Sequence, residues 1–589
     1  MTIIIIHEFF LTTIIAVHHL PTVFSRSMNK KPYILKDLLL LTLIISVLFG
    51  AFLGSRALMV PDEGRYAEIP REMVEKNDYL TPHLAHLKYF EKPPLYYWIT
   101  TLPIRLFGTS EWSLRLPTAL IGLAGCLFLY HLGLALYGRR TALLSALILS
   151  SSVLYCTMSH FLSLDLPLTV FLTICLGCFI LGTREPPGKT RLYYFLIMYA
   201  FAAFATLTKG LIGFVLPGFV IFMWILCLNE WRSLKSYYLV RGTLLFLLIA
   251  APWHILMQIK HPEFFHYYFV EQHLLRYLTD YADRSQPAWF LTAAVLIGFF
   301  PWCWFLITAP FSCTKGCFSK TTIASLWQKR KMHKETIFVI LWPLLIFLFF
   351  NASDSLLLSY ALPIMPPLAV LTAYYLNLFW KKGYITALNV AFIGIFVTGL
   401  GGSIAALSMV EPLETSVRSS NYWYASMGLL GIGMLFTLFF YCKKGLKAGL
   451  ITLFTATSLT LISINLSYDT LDNRPIKSLA LQLKPLLAPD TLVIAYREYY
   501  QDLPVYLNRT VQLVDYRGEL DFGIDHQIGQ SIIWNEATAW KHWQGNARVF
   551  MIMSLEDYKR LKNQPNSPTM CPLGQTSKDI LLINRHCSL

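Results

Sequence analysis

Residues 38–55 read LLLLTLIISVLFGAFLGS, and the chain runs from there into Pro61-Asp62-Glu63-Gly64-Arg65-Tyr66-Ala67-Glu68-Ile69 and Lys88-Tyr89-Phe90-Glu91-Lys92-Pro93-Pro94-Leu95-Tyr96-Tyr97-Trp98. An apolar run of that length crosses a bilayer as a helix. A charged side chain costs about 2.5–3.5 kcal/mol at a helix centre on insertion scales, so a membrane protein that crowds carboxylates, Lys and Arg beside a span has work for them.

Further apolar runs lie near 112–137, 142–158, 166–183, 193–208, 211–228, 242–258, 289–309, 336–351, 360–380, 384–409, 422–441 and 448–467, giving about 13 predicted spans. The composition agrees: 589 residues with 55% hydrophobic and 14% charged side chains cannot coat a soluble core with a polar surface. The expected fold is a polytopic α-helical membrane protein. The formal charge of +15 belongs to the loops and not to a nucleic-acid partner, because Lys and Arg gather in every second connection, as at Lys30/Lys31/Lys36, Arg139/Arg140, Lys381/Lys382 and Lys443/Lys444/Lys447. By the positive-inside rule those connections face the cytoplasm, and 56–111, 159–165, 259–288, 352–359, 410–421 and everything after 468 face outward.

Three domains follow from this pass: residues 1–37 as an N-terminal extension, 38–467 as the transmembrane catalytic domain with its outer loop 56–111, and 468–589 as an outer soluble domain. Residues 1–27 read either as an extra helix or as an extension upstream of a start at Met28, and the extension is favoured because Lys30 and Lys31 then flank the first span on the cytoplasmic side. In the outer loop, Tyr66 to Glu75 has the pattern of a short amphipathic helix at the interface, and Tyr89, Tyr96, Tyr97, Trp98 and Trp112 fit an aromatic belt. Beyond Leu466 apolar runs shorten to strand length, as at 491–495 and 549–553, and alternate with helical candidates at 476–486 and 555–563; a partly parallel α/β sheet is predicted. Cysteines in the apolar runs read as small buried hydrophobes, Cys175-x-x-Cys178 included. Cys571 and Cys587 lie on the oxidising side, where a disulfide between them is compatible with the chemistry.

The topology filters the candidate chemistry, since only residues on one side of a membrane can share a site. Asp62, Glu63, Arg65, Glu91 and Lys92 share the outer side with Asp165, Lys209, His266, His273, Arg276 and Tyr360. Lys as a compact charge and Arg as a bidentate fork suit a phosphate group, while a carboxylate serves as base or metal ligand. A lipid phosphate fits that set. Glu91 with His273 has the donor types for a divalent ion, and Glu91 with Lys92 equally reads as a simple ion pair; spacing alone does not separate the two.

The motifs Pro-Asp-Glu-x-Arg-Tyr-Ala-Glu at 61–68, Lys88 to Leu95 followed by Tyr-Trp, Thr208-Lys209-Gly210, Glu271 to Tyr277 and Tyr360-Ala361-Leu362-Pro363 together resemble the bacterial lipid A aminoarabinose transferases, within the protein-mannosyltransferase-like GT-C group. The resemblance follows the membrane part in order and extends to the plan of thirteen spans plus an outer domain. It implies a transferase of the inner membrane that takes a sugar, 4-amino-4-deoxy-L-arabinose, from undecaprenyl phosphate on the periplasmic face and adds it to lipid A phosphate. It further implies that Asp62 is the essential first-loop aspartate, that Glu91 and His273 bind a divalent metal, Zn²⁺ given the imidazole, and that Lys92 and Arg276 contact the donor phosphate. Asp165 joins Asp62 as a catalytic candidate, and Lys209, Tyr360, Arg65, Tyr66 and Tyr89 join the donor-phosphate group. One departure stands out: where the family carries a basic pair before the tyrosine motif, this chain has Asp354-Ser355-Leu356.

Two rival functions remain at this stage. An enzyme of the same group that glycosylates protein or another glycan uses the same donor chemistry. A transporter or flippase is disfavoured because ionisable residues gather on one face, with no visible repeat, instead of at the midplane of paired halves.

Overall fold

In a computed structural model, the described residues are 33–276, 285–309, 330–409, 417–467, 476–526, 533–565 and 568–585. Residues 1–32, Cys313, Cys317 and Cys587 lie outside them. The membrane part is built of α1 (Tyr33–Gly50), α2 (Asp62–Lys76), α3 (Leu95–Phe107), α4 (Glu111–Tyr137), α5 (Arg139–Ser151), α6 (Val153–Ser159), α7 (Asp165–Arg184), α8 (Lys189–Lys209), α9 (Ile212–Leu228) and α10 (Leu239–Lys260). A π-helix at His266–Leu275 follows, then α11 (Phe290–Gly298), α12 (Cys303–Thr308), α13 (Lys334–Asn351), α14 (Met365–Lys382), α15 (Ile385–Met409), α16 (Val417–Lys444) and α17 (Leu446–Ser467).

All thirteen apolar runs are helical, as the plan of about 13 spans expects, but not every run is one unbroken helix. Among the described residues ten helices are long and apolar enough to cross a membrane, or eleven if the bent pair α5 and α6 is one span. That pair bends by 67°, where Ser150, Ser151 and Ser152 all donate their hydroxyls back to the carbonyls of Leu147 and Leu149, an alternative to the helix ladder. The run at 289–309 divides into α11 and α12 around Pro301, whose ring nitrogen has no proton to give. The run at 211–228 makes α9, which is shorter than a full span. Outward faces are apolar, as at Leu39, Leu43 and Val47 on α1 and Val240, Leu248 and Ile259 on α10, which suits contact with lipid chains. The innermost spans are α7 and the stretch Leu358–Lys381, in each of which 89% of the residues in the most apolar stretch are buried, and they carry Asp165 and Tyr360 at the same end of the bundle.

The C-terminal domain holds α18 (Ile476–Leu483), β3 (Leu492–Tyr496), α19 (Leu503–Leu507), β4 (Gln512–Val514), α20 (Asp521–His526), β5 (Ile533–Trp534), α21 (Glu536–Gln544), β6 (Val549–Ser554), α22 (Leu555–Lys562), β7 (Cys571–Gln575) and β8 (Asp579–Ile583); β1 (His83–Leu84) and β2 (Leu87–Lys88) form a small hairpin in the first loop. The sheet order is β5-β4-β3-β6-β8-β7, with β5, β4, β3 and β6 parallel and β8 and β7 antiparallel, so the expected partly parallel sheet is found. Alternation along β3 and β6 splits the core. Ile494, Tyr496, Met551 and Met553 face α21 and α22, whereas Val493, Ala495, Phe550 and Ile552 face a core that also contains Ile69, Met73, Tyr89, Tyr96 and Tyr97 of the first loop. Cys571 is disulfide-bonded.

That shared core corrects two expectations. α2 does not lie on an open interface: it is sandwiched, with Gly64 so close to the backbone of Gln501 and Asp502 that a Cβ there would come within 2.7–2.8 Å. Tyr89, Tyr96 and Tyr97 are likewise buried and belong to no belt, while Trp112 remains exposed.

Candidate functional site

The start of α2 is fixed by Glu63, whose side chain is fully buried. It accepts from Arg115 Nε at 2.8 Å and Nη2 at 2.9 Å, from both guanidinium nitrogens of Arg56, and from the backbone N–H groups of Met59 at 3.0 Å and Leu162 at 2.9 Å. Burial pushes this carboxyl up, but Arg115 and then Arg56 outweigh it and hold it down at about 2. The clamp ties the loop to α4 and to the turn before α7. It also fixes the backbone of Asp62, whose side chain is 57% exposed and only 3.8 Å from Arg65 Nη2.

Two groups of sequence-predicted residues meet beside it. In the first, Arg276 Nη1 lies 3.7 Å from Glu91 Oε2, Arg65 Nη1 donates to the Tyr89 hydroxyl at 3.4 Å, and the Arg65 guanidinium sits 5.9 Å from the Tyr66 ring centre. In the second, Lys209 at the end of α8 pairs with Asp165 at the start of α7, and its ammonium sits 5.2 Å over the Tyr360 ring. The two groups share one field. Burial pushes the Lys92 ammonium down to about 7, with Arg276, Lys209 and Arg65 adding to that and Glu91 opposing it. Glu91 in turn is held below its ordinary range: burial acts upward, and Lys92, Arg65 and Arg276 prevail. Lys92 Nζ donates to the backbone carbonyl of Glu91 at 3.0 Å and, among the described residues, has no carboxylate in ion-pair contact. Partly buried and crowded by like charges, it is a cation placed for an anion that the protein itself does not supply.

His273 is positioned by the π-helix, a rare geometry that recurs at functional sites. Its Nδ1 is bonded to the carbonyl of Tyr268, so Nε2 is the nitrogen left for a ligand. Gly210, at φ +88°, makes the room: a Cβ there would fall 1.9 Å from His273 Nε2. Burial pushes the imidazole down to about 4, which keeps it neutral near pH 7. Among the described residues no group of three or more His, Cys, Asp and Glu side chains gathers as a metal site.

The C-terminal domain closes the site from outside. Glu519 Oε2 lies 2.6 Å from Arg65 Nε, and Glu519 Oε1 accepts from Gln501 Nε2 at 2.6 Å; burial raises its carboxyl and Arg65 works against that. Phe522 stacks on Tyr267 of the π-helix, with ring centres 3.9 Å apart, and touches Phe90 on the other side at 5.2 Å. Lys92 and His273 are therefore flanked by segments whose own position depends on α20.

Residues 91–256 match the family model for dolichyl-phosphate-mannose-protein mannosyltransferases, and residues 479–583 match that for the aminoarabinose transferase C-terminal domain. The chain is 32% identical over 386 residues to the undecaprenyl phosphate-alpha-4-amino-4-deoxy-L-arabinose arabinosyl transferase of Aeromonas salmonicida, an alignment covering 65% of this chain and 67% of that protein. The chain belongs to that family of arabinosyl transferases. A Proteus mirabilis member is 27% identical over 542 residues, covering 90% of this chain and 94% of its own. In three dimensions the chain is similar to the crystal structure of ArnT from Cupriavidus metallidurans bound to undecaprenyl phosphate, with a TM-score of 0.79 at 26% identity over 93% of this chain and 98% of that one. The expected family, the GT-C type of fold and its C-terminal α/β domain are thus borne out, and the chain is a multi-pass membrane protein.

Reading the sequence brought Asp62, Arg65, Tyr66, Tyr89, Glu91, Lys92, Arg276, Asp165, Lys209, Tyr360 and His273 to one end of the bundle, and the structure places them there. It missed the partners Arg56 and Arg115, although an arginine four residues into an apolar helix is the kind of cost that asks for a partner. Glu519 and Phe522 carried no local signal at all. Asp354, at the departure from the family pattern, is exposed beside the segment that carries Tyr360.

Proposed function

We propose that this protein moves 4-amino-4-deoxy-L-arabinose from undecaprenyl phosphate to a phosphate of lipid A, at the periplasmic face of the inner membrane. The supporting observation is Lys92, a partly buried cation without an ion-pair partner among the described residues, crowded by Arg276, Arg65 and Lys209. The bond from the anomeric carbon to the donor phosphate oxygen breaks, its electron pair stays on that oxygen, and the leaving lipid phosphate goes from monoanion to dianion. Cations already in place stabilise that added charge more in the transition state than in the ground state. An acceptor phosphate oxygen forms the new bond to the same carbon, and no proton has to be removed from it. Asp62, exposed at the mouth of the site, then orients the sugar or stabilises an oxocarbenium-like centre and is not needed as a strong base. Asp165 acts through Lys209, which it holds.

A divalent ion is part of this proposal. Glu91 and neutral His273 would hold it, and it would supply further positive charge to stabilise the departing phosphate. Because Lys92, Arg65 and Arg276 surround Glu91, a cation binds there in company with the anionic donor and poorly without it. Elemental analysis of wild type, Glu91→Ala and His273→Ala with and without undecaprenyl phosphate tests this, and equal metal content in all samples counts against it.

Transfer is tested by incubating purified protein in lipid with labelled undecaprenyl-phosphate aminoarabinose and either lipid A or a Ser/Thr peptide. Label is expected in lipid A alone, and to fall by about 10²–10³ with Lys92→Ala. Label in the peptide, or full turnover by that variant, overturns the reading. Accessibility of the C-terminal domain to protease in spheroplasts reports the orientation.

A further inference from the structure

The end of the bundle opposite the site carries three basic turns of one kind. Arg139 and Arg140 follow Gly138, Lys381 and Lys382 precede Gly383, and Lys443 and Lys444 precede Gly445, all three glycines having positive φ. α14 alone, at 18 residues, puts roughly 27 Å between the Tyr360 end and this one. Between the turns α14–α15 and α16–α17 opens a cleft of about 550 Å³, lined by Trp380, Leu388, Asn389, Tyr441, Cys442 and Gly445 among others; Lys381, Lys443 and Lys444 adjoin these lining residues in the chain without being part of the lining. Arg139 is already committed to Asp37, at 2.6 Å. The rest are not: among the described residues Arg140, Lys381, Lys443, Lys444 and Lys447 make no ion pair, and α14 to α17 contain no Asp or Glu at all. Arg140 instead lies 4.9 Å over the Trp380 ring, and Lys444 5.3 Å over Phe440.

Charge sidedness by itself asks only for cations in these loops, not for a cavity between them. The cleft adds a polar floor, where Tyr441 Oη donates to Asn389 Oδ1 at 2.6 Å and leaves the Asn389 amide N–H groups as donors. It also adds an apolar exit, since Ile385, Ile393 and Val397 stand exposed in a row down the outer side of α15. We propose that this cleft binds the headgroup of an anionic phospholipid of the leaflet opposite the site, its phosphate held by Lys381, Lys443, Lys444 and Asn389 and its acyl chains lying along α15. Basic pockets between spans recognise acidic lipid headgroups in this way, each Lys or Arg near the surface adding to the attraction.

The test is native mass spectrometry of the full-length protein in detergent, after addition of phosphatidylglycerol or phosphatidylcholine. Wild type is expected to retain phosphatidylglycerol at least tenfold better, and K381Q/K443Q/K444Q to lose most of that preference while sugar transfer persists. R232Q/K235Q/R241Q, which removes three cations from another connection at the same end, is expected to retain wild-type preference. Equal retention of both lipids by wild type, or equal loss in the two triple variants, overturns the proposal. If the first triple variant does not assemble, Asn389→Ala keeps every cation and is expected to lower phosphatidylglycerol retention severalfold; unchanged retention overturns the proposal as well.

Discussion

Glu63 and Lys92 belong to the same loop and are both drawn away from water, yet they are opposites. Glu63 has two guanidinium partners and two backbone donors, and nothing more to gain. Lys92 has one carbonyl and a ring of like charge. A buried charge that is fully answered within the chain is a structural device, whereas one left unanswered is a place for a ligand. Their neighbours on the chain, Asp62 and Glu91, are catalytic or binding candidates because the Glu63 clamp holds their loop still.

The largest effect should come from unbalancing the clamp. Glu63→Ala leaves Arg56 and Arg115 buried without a carboxylate, and breaking a buried pair costs about 3–5 kcal/mol, so loss of folded protein is expected in thermal unfolding followed by size-exclusion chromatography. A variant as stable as wild type removes the clamp from the account. Lys92→Ala should do the reverse: unchanged unfolding temperature, with turnover down by about 10²–10³, the usual consequence of deleting one preplaced charge donor at a developing anion.

The two sites also part company with pH. The Glu63 carboxyl is held at about 2, below its ordinary 4.5, so its contribution to stability is fully present above pH 4.5 and is lost only as pH falls through about 2. Lys92, pushed down to about 7, loses its proton within the working range. Donor binding must then take that proton up again, so affinity should fall above pH 7 by up to about tenfold per pH unit. Lys92→Arg, whose guanidinium stays charged, should flatten the slope even if it binds more weakly. Titration calorimetry with undecaprenyl phosphate at pH 6, 7 and 8 gives the answer, and a slope unchanged in Lys92→Arg assigns the proton to another group.

Much of this was legible in the sequence because membranes restrict the options. Apolar length marked every predicted span of the bundle but not α3, and sidedness alone put Asp62, Lys92, Lys209, His273 and Arg276 at one end. Span number was less legible, since back-bonding by Ser150, Ser151 and Ser152 and the ring of Pro301 interrupt helices without lowering hydropathy. The tyrosines at 89, 96 and 97 misled for a different reason: an aromatic at a predicted interface looks the same whether lipid or another domain covers it. Nothing near Arg65 in the chain announces Glu519, because the contact depends on how the last sheet settles on α2.

Synthesis runs in the other direction from that contact. α2 is made early and must remain with Gly64 bare until Gln501 and Asp502 emerge several hundred residues later to lie against it. Until then Arg65 has no Glu519, and Tyr267 has no Phe522 to stack on. Arg65 and Tyr267 therefore gain these partners last, when the C-terminal domain docks, so a nascent chain holds its first loop without the contacts that fix it in the finished protein.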